Sequence, residues 1–309
     1  MKKRFILFLW ISVVSSACPP GIYPCKCKPA KINSQVTCSD LKTIKDLKKI
    51  LENLKNEPIE YFLLNKSKFK EVPVEIFSGN TITTLNVSNS KFQALVGTKP
   101  IFSGLENSLK NLTLYNCFDT SAIKSITLNH LKELKVLSLT KNRIDIIEND
   151  WFDSGPYGLE ELIIESTGGT ILGSRAFFSL INLKEIWLDD MKLSSVQRKM
   201  FPMPAKYLKL LRMSHNEIEV LPGDIFSDMP KLEDVYLDNN AMKTMPMDTW
   251  SPVWKQLDIV FVTGNPLVCD SAIKWIFQQE KPHTLEGSCD SPPSLRHKYL
   301  SSLTIKDFE

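Results

Sequence analysis

Histidine and glycine are scarce in this sequence, which contains 4 and 12 of them among 309 residues. H-E-x-x-H and G-x-S-x-G motifs are missing, as is a phosphate-binding glycine loop, and many metalloproteases, hydrolases and nucleotide-binding enzymes depend on such motifs. The acidic pair Glu160 and Glu161 has no base with an orienting partner near it in the sequence, so we interpret it as a solvated strand face. The sequence therefore predicts no enzymatic activity, no metal site and no cofactor.

Long hydrophobic runs and blocks of basic residues are missing as well. Beyond residue 17 no run of about 18 apolar residues occurs, so no membrane span is predicted, and the polar ending Lys306–Glu309 argues against a lipid-anchor tail. The 38 Lys and Arg nearly balance the 35 Asp and Glu once Lys2, Lys3 and Arg4 are removed. Without a basic block or an RNA-binding aromatic motif, we expect no nucleic-acid partner.

Residues 1–17 have the composition of a secretory signal peptide. Basic residues precede an apolar run from Phe5 to Val14, and Ser15 and Ala17 occupy the small-x-small positions before Cys18. This run is too short to cross a bilayer. A bacterial lipid-anchored cysteine at Cys18 is an alternative, but Ser15 stands where such signals prefer an aliphatic residue. We therefore predict cleavage after Ala17 and a secreted, extracellular protein.

The segment from Leu208 to Lys231 contains the pattern on which most of the chain is built. It follows L-x-x-L-x-L-x-x-N-x-L, the signature of a leucine-rich repeat. Leu211 and Met213 alternate along a short strand and point to one face, while Asn216 turns inward, where its amide can pair backbone groups. One such unit buries little apolar surface alone, so it requires stacked neighbours.

The repeat recurs at intervals of 23 to 27 residues, with its first apolar position at Ile59, Ile82, Leu109, Leu134, Leu159, Leu183, Leu208, Leu232 and Leu257. This predicts an α/β leucine-rich repeat solenoid shaped like a curved horseshoe. Its parallel β-sheet should line the concave face, with irregular or 3₁₀ segments on the convex face. Apolar residues at helical spacing between Cys38 and Pro58 predict a short helix or irregular coil before the first repeat.

Two further positions of the repeat carry recognisable side chains. Position 19 should form a buried aromatic spine on the convex side, from Phe77, Phe152, Phe177, Phe201, Phe226 and Trp250. The inward-facing asparagine position holds Ser67, Ser90, Cys117, Asn142, Thr167, Met191, Asn216, Asn240 and Asn265. Asparagine therefore occupies this position in consecutive repeats only toward the C-terminal end.

Cysteine clusters at both ends resemble the caps of extracellular leucine-rich repeat proteins. Cys18, Cys25, Cys27 and Cys38 follow the spacing C-x6-C-x-C-x10-C. In that family the first cysteine pairs with the third and the second with the fourth, so the resemblance implies the disulfides Cys18–Cys27 and Cys25–Cys38. A zinc site is the alternative reading of four close cysteines, but an exported chain reaches an oxidising compartment where disulfides persist.

The C-terminal cluster departs from the family pattern. Cys269-Asp270-Ser271 has serine at the second cysteine position, and the sequence stops about where the fourth would come. Both members of one bridge are thus missing together, and the resemblance leaves Cys269–Cys289, whose loop could contribute on the order of 3 kcal/mol. The repeat pattern admits cysteine at the asparagine position, so we interpret Cys117 as a buried thiol, with an intermolecular disulfide as the alternative.

The chain after residue 17 resembles secreted leucine-rich repeat proteins with cysteine-rich caps, a group that includes matrix proteoglycans, axon-guidance ligands, lamprey antigen receptors and Toll-like receptor ectodomains. We expect a cap at 18–52, about nine repeats at 53–264 and a second cap at 265–309. The C-P-x-G and P-C-x-C opening and the P-x-x-I-F repeats more narrowly resemble arthropod proteins related to the non-catalytic subunit of shrimp luciferase.

This resemblance implies an extracellular module that binds a protein or glycoconjugate through its concave face. The alternatives are a non-catalytic accessory subunit that stabilises a secreted enzyme, as in a luciferase-like complex, and an innate-immune recognition protein. An enzyme in its own right is the reading that the sequence favours least, because no catalytic constellation is present. Fold alone does not decide among these functions.

Position 5 of successive strands faces outward at the centre of the sheet and is occupied by Ile163, Trp187, Arg212, Tyr236 and Phe261. Because adjacent strands lie about 4.8 Å apart, we expect one contiguous row in which Arg212 stacks on Trp187 and Tyr236. Acidic side chains accompany the row in the same strands, among them Glu165, Asp189, Asp190 and Asp238. Trp, Tyr and Arg are enriched in interface hot spots, so the surface predicts a protein partner with an apolar ridge and a basic rim.

Three N-x-S/T sequons begin at Asn65, Asn86 and Asn111 and predict N-linked glycans. They fall at repeat positions 7, 5 and 3, which all face outward from the sheet. Glycans there would exclude a partner from the first three repeats. The alternative is that sites on an inward-curving face are poorly modified.

Overall fold

A computed structural model describes residues 18–29, 34–69, 72–73, 75–92, 100–118 and 126–308. The predicted signal peptide therefore lies outside the described residues. The strands, in chain order, are β1 Lys26–Lys28, β2 Ser34–Ser39, β3 Pro58–Asn65, β4 Lys68–Phe69, β5 Thr81–Ser88, β6 Lys91–Phe92, β7 Asn111–Tyr115, β8 Val136–Ser138, β9 Ile146–Ile147, β10 Glu161–Ile163, β11 Ile171–Leu172, β12 Glu185–Trp187, β13 Leu210–Arg212, β14 Asp234–Tyr236, β15 Ile259–Phe261, β16 Leu267–Val268, β17 Thr284–Glu286 and β18 Cys289–Ser291.

Helix is a minor component of the described chain. The α-helices are α1 Ile44–Asn53 and α2 Met247–Trp250, and short 3₁₀ segments cover Arg198–Met200, Trp254–Gln256, Lys274–Gln278, Leu300–Ser302 and Ile305–Phe308. Helix α1 confirms the helical spacing seen before the first repeat. Its N-cap Thr43 forms a capping box with Asp46, and Leu47, Ile50 and Leu51 pack into the core, so the helix is stabilised at its start and along one face.

One large sheet organises the molecule, with the strand order β1-β2-β3-β5-β7-β8-β10-β12-β13-β14-β15-β17. Strand β1 pairs antiparallel with β2 and the other neighbours in this sheet pair parallel. Two-stranded parallel sheets β4–β6, β9–β11 and β16–β18 lie on the other side of the coil. The chain is therefore the predicted leucine-rich repeat solenoid, in which each turn adds one strand to a parallel sheet.

The core lies directly behind this sheet. Leu162, Ile186, Leu211, Val235 and Val260 are Cα partners in successive strands, and each is fully buried. The aromatic spine is also buried, and its ring contacts run from Phe152 to Phe177 and from Phe226 through Trp250 and Trp254 to Trp275, with centroids 4.9 to 6.2 Å apart. The solvent-facing side of the large sheet, called the sheet face below, carries the alternate side chains of each strand.

The ladder at the asparagine position is more continuous than the sequence indicates. Asn142, Asn216, Asn240 and Asn265 each join their own coil to the preceding one through backbone groups. Serine and cysteine make comparable bonds: Ser90 Oγ accepts from Ser67 N at 3.0 Å and donates to Leu64 O at 3.4 Å, and Cys117 Sγ donates to Val87 O at 3.2 Å.

A left-handed residue precedes each ladder position. The φ angles at Lys66, Asn89, Asn116, Lys141, Ser166, Asp190, His215, Asn239 and Gly264 lie between 47° and 75°. This conformation turns the chain sharply at the strand end and directs the next side chain inward. Asn, Asp and His tolerate it better than most residues, and they occupy five of these positions.

Disulfides close both ends of the described chain in the pairing that the resemblance implies. They join Cys18 to Cys27, Cys25 to Cys38 and Cys269 to Cys289. Cys117 is a free, buried thiol, and burial raises its pKa to about 12. Ser271, which stands where the family has a cysteine, is exposed.

Candidate partner-binding surface

The five residues predicted to form a row on the sheet face do lie in one row. Ile163 is the Cα partner of Trp187, Trp187 of Arg212, Arg212 of Tyr236 and Tyr236 of Phe261. Each is partly exposed, while the residue before it in its strand is buried. We call Ile163, Trp187, Arg212, Tyr236 and Phe261 the stripe. Its continuity follows from the register, because neighbouring repeats differ by 24 or 25 residues and place equivalent positions side by side.

Contacts between neighbouring side chains connect the stripe. The guanidinium carbon of Arg212 lies 5.2 Å from the Trp187 ring centroid and 5.1 Å from that of Tyr236, within the range of cation–π attraction. Tyr236 and Phe261 stack with centroids 5.1 Å apart and an interplanar angle of 13°. The indole Nε1 of Trp187 donates to Glu185 Oε2 at 3.1 Å. These contacts restrict the side chains of the stripe, and such restriction lowers the entropic cost of binding a partner.

Asp189 differs from the expected exposed acid beside the stripe. It is only 7% exposed, it forms an ion pair with Arg212 Nε, and its Oδ1 accepts from Ser214 N at 2.7 Å. Burial raises the pKa of Asp189, and the hydrogen bond and charge of Arg212 oppose that rise. Asp189 therefore supports Arg212 from behind, and the acids available to a partner are other residues.

Carboxylates crowd one side of the stripe. Glu161 and Glu185 are Cα partners in adjacent strands, and Asp234 lies in the same row two strands farther along, beyond Leu210. Burial raises the pKa of Glu161, with Glu185 and Glu160 adding to the rise. Burial also raises the pKa of Asp234, with Asp258, Glu233 and Glu185 adding to it. These negative charges repel one another, so a cation placed among them is stabilised.

Glu165 and Asp238 provide the acidity on the other side. Burial raises the pKa of Glu165, Asp189 adds to the rise and Arg212 opposes it. Asp238 is partly exposed and accepts from Ser214 Oγ at 2.5 Å and from Asn239 Nδ2 at 2.9 Å. Asp190 is exposed and has a φ of 52° at its strand end.

Lysines form ion pairs with acids that directly precede strands β10 and β14, and the charges of Lys184 and Lys209 partly oppose the raised pKa values of Glu161 and Asp234, respectively. Lys135 and Lys184 pair with Glu160 at 3.1 and 2.5 Å, and Lys209 pairs with Glu233 at 3.1 Å. Among the ion pairs of the described residues, the one within the stripe joins Arg212 to Asp189. The surface beside the stripe is consequently an apolar and aromatic row with a negative border.

Sequence reasoning missed the last member of this row. Strand β17 lies within the predicted C-terminal cap and adds one more parallel strand after β15, which makes Glu286 the Cα partner of Phe261. The residue that could have revealed β17 from the sequence is Leu285, which is 3% exposed and continues the buried row behind the sheet. The row thus ends in a carboxylate next to Phe261.

The three sequon asparagines are on the sheet face, as expected, and two of them are engaged in hydrogen bonds. Asn111 Nδ2, the atom that would carry a glycan, donates to Thr84 Oγ1 at 3.1 Å. Asn65 Oδ1 accepts from Ser88 Oγ at 3.2 Å. Asn86 lies at the centre of its strand and its Oδ1 is buried without a hydrogen-bond partner. Glycosylation at these positions stays a prediction.

No group of three or more His, Cys, Asp or Glu side chains in the described residues has an arrangement that could hold a metal ion. Within the same residues, no helix has the length and apolarity needed to cross a membrane.

No family model matches the chain. It is 29% identical over 112 residues to the leucine-rich repeat and fibronectin type-III domain-containing protein 4 of Rattus norvegicus, which covers 34% of this chain and 17% of that protein. It is 25% identical over 244 residues to Toll-like receptor 3 of Boselaphus tragocamelus, which covers 73% of this chain and 26% of that protein. The chain therefore spans less than a third of the length of either relative.

Solved structures show the same fold. The mouse RP105/MD-1 complex aligns with a TM-score of 0.60 at 20% identity, over 87% of this chain and 45% of that chain. Human 5T4 aligns with a TM-score of 0.56 at 18% identity, over 95% of this chain and all of that chain. The chain thus has the leucine-rich repeat fold of these structures, with disulfides near both ends. The narrower resemblance to luciferase-associated proteins finds no support in these likenesses.

Proposed function

We propose that this chain is a secreted, non-enzymatic protein-binding module that engages an extracellular protein through the stripe. In this proposal residues 1–17 direct export, 18–52 and 265–309 are caps, and the repeats of 53–264 carry the binding surface. The observation that carries the proposal is the stacked row from Trp187 to Phe261. It presents aromatic and guanidinium groups that contact one another on one exposed row, and such groups dominate interface energies.

The chemistry of the surface defines the partner. The row of Ile163, Trp187, Tyr236 and Phe261 fits an apolar ridge on the partner. The repelling carboxylates Glu161, Glu185 and Asp234 on one border, and Glu165 on the other, fit Lys or Arg side chains on either side of that ridge. Such charges act mainly on the rate of encounter and on salt sensitivity, while the apolar row supplies the affinity.

Related folds support a binding role. One similar solved structure is the Drosophila Toll–Spatzle complex, which aligns with a TM-score of 0.58 at 17% identity, and another is the RP105/MD-1 complex. Each of those proteins was solved with a protein partner. By analogy, this chain uses the same fold to hold a partner of its own.

The first experiment identifies the partner and then tests the stripe. The protein is purified from its own tissue under native conditions, and co-purifying chains are identified by mass spectrometry. Trp187→Ala and Tyr236→Ala are then compared with Tyr299→Ala, a control at a side chain that is 62% exposed and outside the stripe. Each stripe variant should weaken binding by about 2 kcal/mol or more, with a nearly unchanged thermal midpoint, while the control binds like the parent.

If both stripe variants bind like the parent, the sheet face is the wrong surface. A co-purifying enzyme chain in equal amount, whose activity decays faster without this protein, would instead indicate the accessory-subunit role. A second comparison tests the borders. Glu161→Gln with Asp234→Asn should slow association and reduce its dependence on salt, with little change in the dissociation rate.

A further inference from the structure

Charge is segregated along the solenoid. Residues 18–135 contain 17 Lys and Arg against 10 Asp and Glu, whereas residues 136–309 contain 18 against 25. The first part therefore has a formal charge of +7 and the second of −7. The stripe and its carboxylates lie in the acidic part. A surface in the basic part must suit a ligand of opposite chemistry.

Helix α1 and its flanking residues carry one group of lysines in the basic part. Lys45, Lys48 and Lys49 are spaced i, i+3 and i+4 along the helix, and Lys42 and Lys55 flank its two ends. All five side chains are exposed. Residues three and four apart on a helix have Cβ atoms about 5–6 Å apart, so the three helical ammonium groups lie close together. We call these five residues the lysine ridge.

Acids lie among these lysines, but in the described part of the chain none of them forms an ion pair with the lysine ridge: Asp46 and Glu52 are on the helix, and Asp40 and Glu57 lie beyond its ends. The Asp46 carboxylate accepts from Thr43 N at 3.2 Å and from Thr43 Oγ1 at 2.8 Å, so it is committed to capping the helix. Glu52 is the other acid of the helix and is exposed. None of the ion pairs between described residues includes a lysine of the ridge. Like charges at these spacings destabilise a helix, and a bound anion would relieve that repulsion.

The burial of the helix restricts what can bind there. Its apolar residues Leu47, Ile50 and Leu51 are each 1% exposed, and Ile44 is partly buried against the core, so α1 offers little apolar surface for insertion into a lipid surface. Among the described residues, the large exposed hydrophobic side chains do not include any from 41 to 57. A protein interface would lack the apolar centre that such interfaces have. A flexible polyanion needs only closely spaced positive charge.

We propose that the lysine ridge binds a sulfated polysaccharide through ion pairs between its ammonium groups and sulfate groups. Three disulfides indicate an oxidising compartment, and outside cells the abundant polyanions are sulfated polysaccharides. The ridge would hold the chain on such a polymer while the stripe stays open. This inference stands on the charge and exposure of α1 and does not depend on the proposed function of the stripe.

The two surfaces are far enough apart to act separately. Strand β3 directly follows α1, and six strand steps separate it from β13, which carries Arg212. At about 4.8 Å per step this is about 29 Å, several times the Debye length of about 8 Å at physiological ionic strength. Charges at the ridge are therefore screened from those beside the stripe.

Binding of full-length heparin to the whole protein tests the inference. The variant Lys45→Gln/Lys48→Gln/Lys49→Gln is compared with the control Lys199→Gln/Lys255→Gln/Lys306→Gln, which removes three exposed lysines elsewhere. Glutamine has nearly the helix propensity of lysine, so α1 should persist, and circular dichroism checks it. The ridge variant should bind heparin about tenfold more weakly in about 0.1 M salt and with a shallower salt dependence, because each lost cation removes counterion release. The control should stay within about twofold of the parent.

Several results would overturn the inference. One is equal loss of affinity in the ridge variant and the control, which would mean that net charge alone matters. Others are unchanged binding of desulfated heparin, or tighter binding to vesicles of phosphatidylcholine with phosphatidylserine or to a single-stranded oligonucleotide. A dimer in sedimentation velocity that the ridge variant abolishes would make a second copy the occupant. Trp187→Ala should keep the parent's heparin affinity, which separates this test from that of the stripe.

Discussion

Replacing Asn216 with alanine should destabilise the repeats strongly, because this one side chain joins two coils. Its Oδ1 accepts from Met191 N at 3.1 Å and Leu193 N at 3.0 Å. Its Nδ2 donates to the carbonyls of Leu188 at 2.8 Å, Met213 at 3.0 Å and Ser214 at 3.1 Å. The side chain is 7% exposed, so water has little access to the groups it pairs.

The magnitude follows from which groups lose their partners. Met213 O also accepts from Asn240 Nδ2 and Ser214 O from Asp190 N, so both keep a hydrogen bond in the variant. The other three groups, two amides and the Leu188 carbonyl, have no second partner among the hydrogen bonds of the described residues. A buried unpaired group costs about 1–3 kcal/mol. Because water can enter the space left by the amide, we expect a loss of about 3–5 kcal/mol in the free energy of unfolding.

Urea denaturation followed by tryptophan fluorescence, with the disulfides intact, measures this loss. Asn216→Ser should fall between the parent and Asn216→Ala, because Ser90 makes one accepting and one donating ladder bond of the same kind. The matched control is Asn239→Gly, which changes an exposed asparagine one coil away and keeps its positive φ of 55° accessible. A loss below about 1 kcal/mol for Asn216→Ala, or equal losses for the serine and alanine variants, would refute this account of the ladder.

Three further predictions concern buried groups. Met191→Asn should leave the fold intact and stabilise it by about 1 kcal/mol in the same urea assay, because the new ladder hydrogen bonds outweigh the lost apolar burial. A lower urea midpoint for this variant would contradict the prediction. Cys117, with its pKa raised to about 12 by burial, should resist iodoacetamide at pH 8 in the native protein and react once denatured; equal rates in both states would contradict burial. Burial raises the pKa of Glu165. At low pH its carboxyl group is neutral, and as the pH rises through the raised pKa the group acquires a charge that destabilises the folded state. Glu165→Gln should accordingly stabilise at pH 7 and lose this advantage toward pH 4, and a gain that is independent of pH would exclude the charge as its cause.

The side chains that become neighbours on the sheet were predictable, because their alignment depends on the number of residues in each coil. Once each coil is known to contribute one strand, intervals of 24 and 25 residues fix which side chains become neighbours, and parallel pairing does the rest. That is why the row from Ile163 to Phe261 and its Trp–Arg–Tyr stacking could be predicted from the spacing. The buried aromatic spine followed from the same periodicity.

Side-chain pairing was less accessible to sequence reasoning. The pattern places Asp189 on the sheet face, but Arg212 from the next strand and Ser214 N hold its carboxylate in a buried position. The pattern also treats serine and cysteine as interruptions of the ladder, whereas Ser90 and Cys117 reach the same carbonyls with a hydroxyl or thiol. Both outcomes depend on local side-chain geometry, which repeat spacing does not specify.

The distribution of charge connects fold to function in this molecule. A net charge near zero conceals an acidic sheet face in the later repeats and a basic helix before the first one, and a solenoid keeps them apart because contacts are mostly between neighbouring coils. In a globular domain of this size, an acidic and a basic surface patch could lie close enough to interact. Here the carboxylates beside the stripe repel one another and the lysines of α1 do the same, so a ligand of opposite sign would relieve the repulsion at each surface. The two proposed ligands, a protein with a basic rim and a sulfated polysaccharide, would therefore bind independently of each other.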